Sequence, residues 1–244
     1  MDKIVSSKYS PYLFEIRKRI LITVSIFAIA TVSGFIFYEQ IIKFIIVLLS
    51  LERVNIVFTS PFQFINLAIS CGVALGLIIT FPLLLYQVLS FLKPALRERE
   101  FKMIVRFLPF FIILFLIGFS FGIFIMKWQI GIFLAKSESL GIGNILDISR
   151  LISTVLLVSV LMGLAFQFPI VTLLLIRIGI ISPGTLSKRR LWVYLGSLLF
   201  TMLLPADSIL TDILLALPLI ALFEFTLILN RIFERKKVAY VRDL

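Results

Sequence analysis

Apolar residues in this chain run on in long uninterrupted stretches, without the two-residue alternation of a half-buried strand or the one-sided stripe of a surface helix. Windows of about 19 residues place these stretches at Ile20 to Phe37, Phe64 to Leu92, Phe107 to Met126, Leu151 to Ile176, Leu191 to Leu204 and Ile209 to Leu229. A helix of about 20 apolar residues crosses a hydrocarbon core about 30 Å thick, so the pattern predicts an all-α integral membrane protein of six transmembrane helices. The last two stretches are separated only by Pro205-Ala-Asp-Ser208 and form a tight helical hairpin. Its first arm, about 14 residues or roughly 21 Å, is short for a relaxed bilayer and calls for local thinning.

Pro82, Pro109, Pro169 and Pro218 fall in or beside spans and are expected to bend them, giving a curved bundle. Gly72 with Gly76, and Gly118 with Gly122, lie four residues apart and allow close helix approach, a packing feature. Tyr38 to Ser60 is half apolar and reads as a helix on the outer surface, capping the bundle. A continuation of the first span is the other reading. Met1 to Arg19 is polar and precedes a full-length span without a small-residue cleavage site, so the first span is expected to be retained.

Composition agrees: 61% of the 244 residues are hydrophobic, against about 45–50% in soluble domains. A single membrane domain over residues 1–244 is expected, with no soluble module. The net charge of +11 does not form one patch, which argues against a nucleic-acid partner. Nineteen of the 24 basic residues fall in loops or ends on one side of the predicted spans, and five (Lys43, Arg53, Lys127, Lys136, Arg150) on the other. Basic loops stay cytoplasmic, so both termini are placed in the cytoplasm, as an even number of spans requires. Cys71 is the one cysteine and there is no histidine, which leaves neither a disulfide nor a Cys/His metal set. No cofactor is expected, and no nucleophile-base set marks an enzyme.

Acids are then the informative residues. Glu98 and Glu100 interrupt the basic loop after the second span, among Arg97, Arg99 and Lys102. Positive charge alone orients a span, so carboxylates there point to a basic ligand. Tyr12-Leu-Phe-Glu-Ile-Arg-Lys-Arg19 sets Leu13, Ile16 and Ile20 on one helix face, with Glu15 beside Lys18. An interfacial helix anchored by basic residues is the simple reading, Glu15 being a solvated charge. Ionisable groups in hydrocarbon are expensive. Asp207, Asp212 and Glu224 lie in or beside the final hairpin, where Asp207 could cap the sixth helix or meet a partner. Gln167, two residues before Pro169, is either satisfied by an interhelical hydrogen bond or exposed to a concave cavity.

Taken together the segments resemble the TatC family, the multispan receptor component of the twin-arginine (Sec-independent) protein translocase. Ser10-Pro-Tyr-Leu-Phe-Glu15-Ile-Arg17-Lys-Arg19-Ile is similar to the family's His-Leu-x-Glu-Leu-Arg-x-Arg-Leu, with Tyr12 for the usual His. Thr59-Ser-Pro61-Phe matches its Ser-Pro-Phe, and Phe81-Pro82 through Tyr86-Gln87, Phe91, Pro94-Ala-Leu and Glu100 follow its most specific signature. Phe166-Gln167-x-Pro169 and Pro205-Ala-Asp207 correspond to its Phe-Glu/Gln-x-Pro and Thr-Pro-Pro-Asp. The match runs from about residue 10 to residue 233. It departs at Gln167, where many members carry Glu, at Leu204 and Ala206, and at Lys127-Trp-Gln, which replaces a usual Phe-Pro.

The resemblance implies a bacterial cytoplasmic (inner) membrane protein, with thylakoid or mitochondrial inner membrane as alternatives. It would bind the Arg-Arg signal peptides of folded cargo, associate with itself in a receptor complex, and recruit TatA-type and TatB-type single-span partners, with export driven by the proton-motive force. Glu15, Arg17, Phe91, Pro94 and Glu100 would form the signal-peptide site. Gln167 would be a polar residue of a concave face, Thr201, Met202, Asp207 and Thr211 would lie where partners dock, and Pro61 and Pro82 would be structural. Without the resemblance, a secondary transporter of small solutes would lead. The absence of a convincing inverted repeat and the cytoplasmic position of the acids argue against it.

Overall fold

The computed structural model describes residues 2–51, 54–92, 101, 105–106, 108–141, 145–177, 181–205 and 208–242. The named elements are helices α1 (Asp2–Ile36), α2 (Tyr38–Leu48), α3 (Gln63–Leu92), α4 (Leu108–Ser139), α5 (Ile148–Ala165), α6 (Phe168–Arg177), α7 (Pro183–Lys188), α8 (Arg190–Met202) and α9 (Ile209–Arg242), with strands β1 (Asn55–Val57) and β2 (Ile145–Asp147). Five stretches, Phe14–Ile36, Gln63–Phe91, Leu108–Ser139, Ile148–Ile176 and Ile209–Asn230, are long and apolar enough to cross a membrane. The chain divides into two compact units, one of Met1–Glu52, Phe58–Pro109 and Ile148–Ser153, the other of Arg53–Val57, Phe110–Asp147 and Thr154–Leu244.

In the first unit α1 and α3 pack antiparallel, and glycine sets their approach. A Cβ on Gly34 would lie 2.8 Å from the Cα of Gly72, and one on Gly72 would lie 2.6 Å from the Thr31 carbonyl oxygen. Fifteen residues away along both helices, Arg19 meets the Gln87 carbonyl. The crossing is therefore close over about 22 Å of helix. The N-terminus of α3 is tied down by Gln63, whose Oε1 accepts from the Thr59 N–H (2.8 Å) while its Nε2 donates to Thr59 Oγ1 (2.6 Å). The Gln63 side chain thus clasps both polar groups of Thr59 ahead of the helix. The first turn of α5 attaches here, Ser149 Oγ donating to the Gln63 carbonyl and Ser153 Oγ to Ser70 Oγ.

The half-apolar segment after the first span is helical, as expected, but it is a separate helix from α1, interrupted at Phe37. α2 stops because Ser50 adopts φ 58°, with the Ser50 N–H donating to Val47 O and the Leu51 N–H to Ile46 O. This is a Schellman closure with serine where glycine is usual. Leu51 is thereby turned inward and is 1% exposed.

In the second unit α4 and α5 are antiparallel, and again glycines lie at the crossing. A Cβ on Gly118 would meet Met162 O at 2.6 Å and one on Gly122 would meet the Ser159 Cα at 2.7 Å, while Phe115 fills the space over Gly163. Outward side chains such as Ile113, Ile117 and Phe124 are exposed. Such a surface suits hydrocarbon, not water.

Four features differ from the sequence-based expectation. α4 continues past Met126 to Ser139, about 48 Å in all, because Lys127 ends an apolar window without ending a helix. It closes at Gly141, whose φ of +68° is the left-handed cap glycine accepts freely. The expected span Leu151 to Ile176 is broken by a turn at Phe166-Gln167 between α5 and α6. Of the four prolines expected to bend spans, Pro82 and Pro218 lie inside helices, but Pro169 is the second residue of α6, where a missing N–H breaks no helix bond; Pro109 lies two residues after Phe107, which is outside the described residues. Finally, β1 and β2 pair in parallel, Asn55 opposite Ile145, Ile56 opposite Leu146 and Val57 opposite Asp147. Three residues carry no legible periodicity.

Candidate functional site

At the end of the α1–α3 crossing remote from Gly34 and Gly72, the helical spacing puts Glu15 one turn before Arg19. Arg19 Nη2 and Nε both donate to Glu15 Oε1, at 2.6 and 3.2 Å, and Arg19 Nη1 reaches the main-chain carbonyl of Gln87 at 3.3 Å. Glu15 thus pairs with Arg19, not with Lys18 as the sequence suggested. The guanidinium side chain is 24% exposed and the carboxylate side chain 56%, so the cation is the inner partner and the acid the presented one. Among the described residues nothing engages Glu15 Oε2. One turn beyond Gln87 on α3, Phe91 is exposed, as is Arg17 on α1. Pro94 and Glu100 lie outside the described residues. Pro61 is exposed in the turn before α3, and Pro82 is half-buried within it.

Gln167 sits in the turn between α5 and α6 and is 6% exposed. Its N–H donates to Leu164 O, one residue short of the helical partner, and its side-chain Nε2 donates to the vacated Gly163 O at 3.1 Å. The amide thus repairs the break in its own span; of the two readings the sequence left open, an interhelical hydrogen bond is not what this donor makes. Gln167 Oε1 is buried without a hydrogen-bond partner among the described residues.

On the α8–α9 hairpin, Thr201 is fully buried and its Oγ1 donates to Leu198 O (2.9 Å). Thr211 is 1% exposed, whereas Met202 projects outward with Leu199 and Leu203. Of the expected docking residues, Met202 is presented and the two threonines lie behind it. Asp207 is outside the described residues.

Sequence reasoning flagged Glu224 as costly but gave it no partner. Tyr194 OH donates to Glu224 Oε1, and Arg190 Nη1 lies 3.4 Å from Oε2. Tyr194 also packs edge-on against Phe223, which meets Phe168 of α6. The legible signal was an acid inside an apolar run, which demands a donor nearby. Glu224→Ala is expected to lower stability by about 1.5–3 kcal/mol through the lost charge-assisted hydrogen bond, with little added by the half-exposed ion pair. Thermal unfolding in detergent of Glu224→Ala and Tyr194→Phe measures this.

Long apolar helices that cross at glycines and carry exposed apolar side chains define a multi-pass membrane protein. The family model described as Sec-independent protein translocase protein (TatC) matches residues 11–218. The chain is 29% identical over 232 residues to TatCy of Bacillus subtilis (92% of this chain, 89% of the relative). It is 30% identical over 236 residues to TatC of Aquifex aeolicus (93% and 95%). A crystal structure of the twin-arginine translocase receptor TatC in DDM superposes with a TM-score of 0.80 at 28% identity, covering 89% of this chain and 98% of that one. The chain belongs to the TatC family of Sec-independent protein translocase components, and its role is accordingly in transport.

Proposed function

We propose that this protein is the receptor of a twin-arginine translocase, binding Arg-Arg signal peptides of folded cargo on its cytoplasmic face. The observation that carries the reading is the presentation of Glu15, an exposed carboxylate pinned at one oxygen and open at the other, on the stretch of α1 that meets Gln87 of α3. A guanidinium is planar and permanently charged, and it pairs with carboxylates through parallel N–H donors. Two arginines of an extended peptide need two acids. Glu15 is one and Glu100, which follows α3 in the sequence, is the other, with Phe91 and Pro94 shaping the site and Arg17 beside it. At the interface such pairs are only partly desolvated, which keeps binding reversible.

In this reading six spans, the fifth being the 13-residue α8, place both termini in the cytoplasm of a bacterial cell, in keeping with the bacterial relatives. TatA-type and TatB-type helices dock on the α8–α9 hairpin, where the end of α8 offers Leu199, Met202 and Leu203, and Asp207 falls between the two helices in the sequence. Thr201 and Thr211 stand behind that face. Gln167 is the polar residue of a concave face, Pro61 and Pro82 are structural, and copies of the chain associate in a receptor complex. Transport draws on the proton-motive force.

A photoreactive residue at position 91 tests the site. It should crosslink to a bound twin-arginine peptide, and one at Met202 should crosslink to a single-span partner. Peptide crosslinks confined to Met202 would place the signal site wrongly.

A further inference from the structure

We infer that Arg19 is a positioning residue for ligand selection: it locks the Glu15 carboxylate in one orientation so that the site tells a guanidinium from an ammonium. This deepens the receptor reading and rests on it. The geometry is asymmetric. All three donor groups that Arg19 uses are committed, Nε and Nη2 to Glu15 Oε1 and Nη1 to the Gln87 carbonyl. Because that carbonyl belongs to α3, the guanidinium is fastened to a second helix and cannot follow Glu15 if the acid swings. The acid is therefore held at one oxygen while Oε2 is left to a ligand.

A free glutamate at the membrane surface would offer both oxygens in many orientations, and a compact, rotating ammonium could use any of them. With Oε1 held by Arg19 and Oε2 left, the site rewards a ligand that aims fixed, planar donors at that one oxygen, which is arginine and not lysine. The Arg19 charge also offsets that of Glu15 at short range. A loosely placed cation therefore gains little, and shape-matched hydrogen bonds decide the contact. Lysine at position 19 would keep the charge but lose the fork, since a single ammonium on a flexible stem does not reproduce three fixed donors to two acceptors.

The test compares binding of two fluorescent peptides of the same signal sequence, one with Arg-Arg and one with Lys-Lys, to the full chain in nanodiscs. Wild type, Arg19→Lys and Arg19→Gln are measured in parallel after circular dichroism has verified their helix content. The preference for Arg-Arg over Lys-Lys should fall about tenfold in Arg19→Lys, because the charge remains and only the orientation is lost. Arg19→Gln, which keeps a donor for the Gln87 carbonyl but no fork, should lose the preference as well. A preference unchanged in both variants, whether total affinity holds or drops equally for the two peptides, overturns the positioning role and leaves the receptor reading intact. A wild type that does not distinguish the peptides overturns the receptor reading, and this inference with it.

Discussion

Glu15→Gln is expected to weaken binding of a twin-arginine peptide by about 1.5–3 kcal/mol, roughly 10- to 150-fold, since a charge-assisted acceptor is replaced by a neutral one of the same shape. The loss has a second source in the geometry. Arg19, held at the Gln87 carbonyl, would remain in place without its counter-charge and would repel an incoming guanidinium. Glu100→Ala should produce a loss of similar size and Glu98→Ala a smaller one. In the proposed site the two acids meet different arginines of the peptide, so losses from Glu15→Gln and Glu100→Ala should be close to additive in the double variant. Fluorescence anisotropy with a labelled peptide measures all four variants. Wild-type affinity in Glu15→Gln would remove Glu15 from the site.

Gly118→Val should be the most damaging single substitution in the second unit. Even the first carbon of the new side chain would lie 2.6 Å from Met162 O and 2.7 Å from the Phe166 ring carbon Cγ. One of these neighbours is main chain, so α4 and α5 must separate. Overpacking of this kind costs about 1–3 kcal/mol and occasionally more, and a β-branched side chain against backbone belongs at the upper end. Gly131 on the same helix is the internal control, since a methyl group added there would meet nothing within 4 Å. Gly131→Ala should be neutral or gain about 0.5–1 kcal/mol from the lower entropy cost of alanine in a helix. Detergent unfolding curves of the two variants should therefore move in different directions, and equal shifts would contradict the assigned crossing.

The positions of the five long apolar helices were legible because hydrocarbon imposes length and apolarity on any helix that crosses it, and α3 begins within one residue of the expected boundary. Helix ends beyond the hydrocarbon were less legible. α4 runs thirteen residues past the last purely apolar window, since lysine and tryptophan are compatible with helix and Gly141 is the first residue to stop it. The Phe166-Gln167 turn was marked in sequence only by Pro169, which reads equally as a kink.

The site shows the same division. From its neighbours Glu15 read as a solvated charge and was marked only by the family resemblance, and its partner was not legible because Lys18 and Arg19 both lie within helical reach of it. Contact with the Gln87 carbonyl chooses Arg19, and a main-chain acceptor on another helix leaves no trace in sequence. Glu224 was visible as an acid among apolar residues, but Tyr194 and Arg190 are thirty or more positions away and meet it only when the hairpin closes.

The receptor reading is tested most directly by titrating purified wild-type chain in nanodiscs with a labelled twin-arginine signal peptide, alongside its Lys-Lys counterpart, at low and at physiological salt. The expected result is saturable binding of the Arg-Arg peptide, with the Lys-Lys peptide weaker by at least about tenfold at both salt concentrations, because directed hydrogen bonds from a planar guanidinium are less easily screened than loose charge attraction. Equal binding of the two peptides, weakening together as salt rises, would mean nonspecific attraction to acidic residues and would contradict it.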